Sequence, residues 1–189
     1  FETQDPIAYW EDFSKKKIGW GNLAQKPQFT LIDEGFVINA PSPFIPDCPE
    51  LRYLLAVLNS SITRYYLAQI CVERSGGYYE YKPMYVEQIP IPRISEADQI
   101  PFNILVDMIQ DARKAGLDRE GDYLEKVVDL MVYALYFRPE AVRDGLFITD
   151  EVARILGDKA VAARAIPSVT EKLIANPIIA AAVGKGVPL

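Results

Sequence analysis

The chain changes its hydrophobic rhythm near its middle. Over residues 1–46 apolar positions come in short runs: Lys16-Lys17-Ile18-Gly19-Trp20, then Phe29-Thr30-Leu31-Ile32 and Phe36-Val37-Ile38 on either side of Asp33-Glu34-Gly35. Such runs around a turn cluster predict strands, and the last two predict a hairpin closing on Gly35. Pro41, Pro43 and Pro46 then interrupt any ladder. From 49 to 70, Leu51, Leu54, Leu55, Leu58, Ile62, Tyr65 and Tyr66 recur at spacings of three and four. That is the stripe of one long amphipathic helix, with Pro49 in its first turn and an end near Cys71. Arg74-Ser75-Gly76-Gly77 reads as a loop, Tyr78-Tyr79-Glu80-Tyr81 as a strand, and Gln88-Ile89-Pro90-Ile91-Pro92 as extended chain.

Helical periodicity takes over afterwards. Ile104, Leu105, Met108, Ile109 and Ala112 form one stripe that Gly116 terminates. Leu124, Val127, Val128, Met131, Leu135 and Tyr136 form a second, ended by Arg138-Pro139. A short link makes the pair an antiparallel α-hairpin. Thr149 is placed to cap a helix through Leu156 before Gly157, and Ser168 with Glu171 fits a capping box. The expected organisation is a β-rich region with one long helix over 1–95, the α-hairpin over 96–140 and a short-helix tail over 141–189, an α+β class.

Composition limits the chemistry. Half of the 189 residues are apolar or aromatic, which calls for a folded core. The chain starts at Phe1 within a segment read as extended, so we expect it to be a piece of a longer polypeptide. No run of roughly eighteen apolar residues occurs and the start does not follow signal-peptide order, so no membrane is expected and a cytoplasmic location is. Cys48 and Cys71 are read as structural free thiols.

Catalytic arrangements are scarce. There is no His, which removes Ser-His-Asp and Cys-His constellations, and neither a Walker lysine nor a G-x-G-x-x-G occurs. Asp118, Glu120, Asp122 and Glu125 sit where a solvated helix start puts carboxylates. Asn176-Pro177-Ile178-Ile179 lacks the second Pro and the aromatic of a base-flipping tetrad. We therefore expect no catalysis, no metal site and no cofactor in this chain.

Charge raises a different possibility. The formal net charge is −6, yet acidic residues crowd into 95–125 and 139–151, while Lys15, Lys16, Lys17, Lys26, Arg52, Arg64, Arg74, Lys82 and Arg93 lie in the first half. A basic face on an acidic molecule stays open. In Arg74-Ser75-Gly76-Gly77-Tyr78-Tyr79-Glu80-Tyr81-Lys82 the glycines permit close backbone approach, the flanking cations supply charge and the tyrosines supply flat surfaces. A plain turn into a Tyr-rich strand explains the same residues.

A resemblance bears on that choice. Leu54-Leu55-Ala56-Val57-Leu58-Asn59-Ser60, Tyr65-Tyr66, Arg74-Ser75-Gly76-Gly77-Tyr78, Tyr81-Lys82 and Tyr85-Val86-Glu87-Gln88-Ile89-Pro90-Ile91-Pro92 occur in this order. They resemble the signature of the TaqI-like C-terminal specificity domain, and Leu124–Tyr136 is similar to the helix that ends such domains. The resemblance covers about residues 10–140; the tail from about 145 has no counterpart. It implies a β-helix-like body with an α-hairpin that reads duplex DNA for a covalently linked N-terminal N6-adenine methyltransferase domain, often fused to a nuclease. S-adenosylmethionine would belong to that other domain. The candidate DNA-binding residues are Lys15, Lys16, Lys17, Lys26, Arg74, Ser75, Gly76, Gly77, Tyr79 and Lys82. The alternative is a docking module of a restriction-modification or phage-defence complex with little DNA contact.

Overall fold

In a computed structural model, residues 10–39 and 41–188 are described, Trp10 by its backbone alone. The strands are β1 (Lys17–Trp20), β2 (Leu23–Ala24), β3 (Phe29–Ile32), β4 (Phe44–Pro46), β5 (Val72–Arg74) and β6 (Tyr78–Glu80). The helices are α1 (Leu51–Leu58), α2 (Ser61–Ile70), α3 (Pro83–Val86), α4 (Glu96–Lys114), α5 (Asp118–Tyr136), α6 (Arg138–Arg143), α7 (Thr149–Leu156), α8 (Ile166–Ala175) and α9 (Pro177–Lys185). The chain divides into two compact units, one of Phe1–Leu51 with Tyr66–Ile89 and one of Arg52–Tyr65 with Pro90–Leu189. The class is mixed α+β.

The first unit holds two three-stranded antiparallel sheets, ordered β3-β1-β4 and β2-β6-β5. Every pairing among the described residues is antiparallel; these small sheets do not confirm the β-helix-like body expected from the resemblance. β1 is buried along its whole length, as a central strand covered on both faces should be. Gly19 makes that cover possible, because a Cβ there would meet Ile32 Cδ1 at 2.7 Å and Ile38 Cδ1 at 2.9 Å.

The expected hairpin over 29–38 does not form. β3 pairs with β1 in the register Ile18↔Leu31 and Trp20↔Phe29, and Phe36-Val37-Ile38 carries no strand. A more distant partner, the fully buried strand β1, outcompetes the local one, and Phe36 and Val37 are left exposed. The prolines around 41–46 do not exclude a ladder either: β4 pairs with β1 from the outer edge, where Pro46 sits at the end of the strand.

The single long helix expected over 49–70 is two helices. Asn59-Ser60 interrupts it, and Ser60 explains the break: its Oγ donates to Val57 O at 2.7 Å and accepts from Thr63 N at 3.2 Å. This local bonding closes one helix and opens the next. Pro49 lies in the preceding turn rather than inside α1. The segment before Pro90 is also less extended than expected, since Pro83 starts the short helix α3 and Gln88 remains in a turn.

The second unit is helical. α4 and α5 pack on each other across Ala115-Gly116-Leu117, with Gly116 at φ +71° as the expected stop. Phe102, Leu105, Met108, Leu124, Val127, Leu130 and Met131 are buried along the expected stripes. Asp129 of α5 accepts from Ser61 N at 2.8 Å and Ser61 Oγ at 2.6 Å, capping the start of α2. The tail is structured: α7 packs on α4, and α8 and α9 on α5. α7 has the expected bounds, but Thr149 is its first residue and no side chain caps it. The expected Ser168 capping box is absent because α8 starts earlier, at Ile166 with Pro167 in its first turn, placing Ser168 inside the helix. Asn176 caps α9 by accepting from Ile178 N and Ile179 N, a structural role for the Asn-Pro pair. Among the described residues no single helix is long and apolar enough to cross a membrane.

Candidate nucleic-acid interface

The turn between β5 and β6 is built by its glycines. Gly76 and Gly77 take φ +79° and +74° in succession, a left-handed pair that side chains with a Cβ disfavour. Arg74 stands opposite Tyr78 across the turn, and Val72 opposite Glu80. On the other side of β6, Leu23 of β2 also pairs with Glu80. Directly paired residues project to the same side, and so do residues two apart. Leu23, Val72, Arg74, Tyr78 and Glu80 therefore share one face. Leu23, Val72 and Tyr78 are exposed on it.

The centre of that face is a charged triad. Arg74 Nε and Nη2 both donate to Glu80 Oε1, at 2.9 and 2.8 Å. Lys82 Nζ lies 2.8 Å from Oε2, an ion pair whose angles fall outside hydrogen-bond geometry. Lys82 first and Arg74 second hold the Glu80 carboxyl below its ordinary pKa, against the upward push of desolvation. Lys26 joins the same end of the sheet through its neighbour: Gln25 Nε2 donates to Gly76 O at 3.2 Å, and Lys26 follows Gln25 with its side chain exposed. Lys26 makes no ion pair among the described residues.

The expected site residues thus fall into two groups. Lys26, Arg74, Ser75, Gly76, Gly77, Tyr79 and Lys82 belong to the β2-β6-β5 sheet and its turn. Ser75, Gly76 and Gly77 are exposed, and Tyr79 is half-buried on the opposite face, its ring 6.3 Å from that of Tyr81. The lysine run lies instead at the entry to β1. Lys15 pairs with Asp12 at 2.9 Å, which raises its pKa through the hydrogen bond and the nearby charge. Lys16 stands 3.8 Å from Asp33.

Lys17 cannot meet a phosphate as it stands. It is fully buried and donates to Phe36 O at 2.9 Å, because β1 is covered along its whole length and the backbone at Phe36 meets its ammonium group. Glu80 and Gln25 were not among the expected site residues. Period-two alternation along the strand put Glu80 on the face of Tyr78 and Lys82; nothing in the sequence marks Gln25.

A depression of about 300 Å³ beside β1, lined by Gly19, Gly21, Thr30 and Ser42 among others, carries no titratable side chain. Among the described residues no three of His, Cys, Asp and Glu are grouped to hold a metal ion. Both cysteines are free, and burial pushes the Cys71 thiol up to about 11, so it is no ready nucleophile at neutral pH.

Residues 1–91 match the family model of the TaqI-like C-terminal specificity domain. The matched stretch contains both sheets, α1, α2, α3 and the whole Gly76-Gly77 turn. The likeness drawn above for Leu124–Tyr136 lies outside the matched residues, as do α4 to α9. A search of curated proteins finds no match to the chain.

Proposed function

We propose that the chain supplies target recognition to a type II restriction-modification adenine methyltransferase, holding duplex DNA for a catalytic domain linked to its N-terminus. The carrying observation is the exposed Gly76-Gly77 turn with Arg74 and Lys26 beside it and Lys82 joined to Arg74 through Glu80, inside the stretch that matches the specificity-domain family. In this reading the turn backbone and Lys26 approach phosphates and set register, while side chains of the β2-β6-β5 face reach base edges. S-adenosylmethionine and the methyl-transfer chemistry belong to the linked domain, and the chain itself turns over no substrate. The enzyme works in the cytoplasm on DNA.

A second reading has its own support. Lys15, Lys16, Arg74 and Lys82 each face a carboxylate, and the net charge is −6. Both features suit a docking module of a restriction-modification or phage-defence complex, with little DNA contact. A salt titration of duplex binding separates the two. The DNA-reading account expects binding that weakens steeply with salt, and Lys26→Ala weakening all sequences alike and flattening that slope. Binding that is absent at low salt, or indifferent to Lys26, favours the docking module.

A further inference from the structure

We infer that Glu80 is a positioning residue that sets Arg74 to read guanine in the major groove of duplex DNA. The inference rests on the DNA-recognition reading above and adds to it a base and a second side chain.

Arg74 spends Nε and the adjacent N–H of Nη2 on one carboxylate oxygen, Glu80 Oε1. That is the side-on edge of the group. The end-on edge, made by Nη1 and the second N–H of Nη2, makes no other bond among the described residues. The Arg74 side chain is 54% exposed and that of Glu80 only 17%, so the carboxylate sits behind and the guanidinium in front. Two parallel donors on a plane fixed from behind match the paired acceptors O6 and N7 of guanine, and adenine offers no such pair. Lys82 on Glu80 Oε2 anchors the carboxylate from the far side. One carboxylate between two cations also leaves the group a single net positive charge, which limits indiscriminate attraction to phosphate. Gly76 and Gly77, without side chains at the tip of the hairpin, leave room for Arg74 to reach a groove floor.

The test uses the whole chain. It is a selection from a randomised duplex pool, repeated with Arg74→Ala, Glu80→Gln and Arg74→Lys after circular dichroism confirms that each is folded. The expected result is a motif with an essential guanine for the unaltered protein. Arg74→Ala and Arg74→Lys should lose the preference at that position by about 5- to 150-fold, the range of one bidentate pair. Arg74→Lys keeps the salt slope of binding, since its charge remains. Glu80→Gln lowers guanine discrimination while raising affinity for non-cognate duplex and steepening the salt slope, a combination that loss of a merely structural bond does not produce. Replacing the essential guanine by 7-deazaguanine should weaken the unaltered protein and leave Arg74→Ala unaffected. A motif that survives both Arg74→Ala and Glu80→Gln, or one without guanine, overturns this inference and leaves the recognition function standing. Enrichment of no sequence overturns both.

Discussion

Arg74 and Arg113 both stand beside a glycine turn, and both are held by carboxylates, but they are held by different edges. Arg113, near the end of α4, donates through Nη1 to Asp118 and through Nη2 to Asp122 and Glu125 of α5. Those contacts use the end-on edge and tie the two helices of the α-hairpin together across Gly116. The resulting pull of Glu125 and Asp122 raises the Arg113 pKa further above its already high ordinary value. Arg74 has its side-on edge on one oxygen of Glu80 and its end-on edge outward. The surroundings differ in the same sense. The α-hairpin flanks its turn with buried Leu105, Ala112 and Leu124, whereas Val72, Arg74 and Tyr78 around the β5–β6 turn are exposed. Packing accounts for the first turn; the second keeps polar and aromatic groups at the surface, which is why the proposed DNA contact is placed there.

The comparison can be broken most severely at the buried side. Leu58 is 1% exposed, so Leu58→Ala should cost about 2–5 kcal/mol in a denaturant titration. Lys15→Ala should change stability little, since an exposed ion pair contributes about 0–1 kcal/mol. Equal midpoints for the two variants would mean that the buried face of α1 is misplaced.

A smaller loss is expected at Asp129, which binds both the amide and the hydroxyl of Ser61. Asp129→Ala leaves the partly buried amide and hydroxyl of Ser61 without their partner and should cost about 1–3 kcal/mol. Ser61→Ala should give part of that loss, and the double variant should cost less than the two singles added together.

The arginines themselves give the next contrast. Arg113→Ala removes three carboxylate contacts and Arg74→Ala one, yet both lie at the surface, so each should cost no more than about 1 kcal/mol, with Arg113 the larger. DNA affinity should move in the opposite order, falling for Arg74→Ala and holding for Arg113→Ala. Parallel loss in both would remove the distinction between the turns.

The smallest expected effect is one of pH. Because Lys82 and Arg74 depress the Glu80 pKa in the folded chain, the carboxylate contributes stability that is present above its ordinary, unfolded pKa. That contribution is lost as pH falls through the depressed folded value. The Glu80 side-chain carbon resonance should therefore titrate below the ordinary glutamate range, and return to it when Lys82→Met and Arg74→Ala are combined. A midpoint in the ordinary range for the unaltered chain would show that the triad is not formed in solution.

Local periodicity made α4, α5 and α7 readable, because their stripes are long and end at Gly116, Arg138-Pro139 and Gly157. It misled where the deciding partner is distant in sequence. The strand Phe29–Ile32 pairs with Lys17–Trp20 rather than with the nearer Phe36–Ile38, and a hydrophobic pattern does not state which partner a strand takes. The break at Ser60 needed both its own side-chain bonding and Asp129, far along the chain. For the interface, Arg74, Gly76, Gly77 and Lys82 were legible as residue types around a turn. That Lys17 turns inward, that Gln25 brings Lys26 to the turn and that Glu80 holds Arg74 depend on register, which only the folded chain shows.

The most direct test of the central claim is hydrogen–deuterium exchange of the whole chain with and without saturating duplex bearing its selected site. The account predicts slower exchange on adding DNA in residues 24–26 and 72–82, with α4 and α5 unchanged. Protection confined to α4–α9, or no change around Gly76 and Gly77 while DNA is bound, would contradict it.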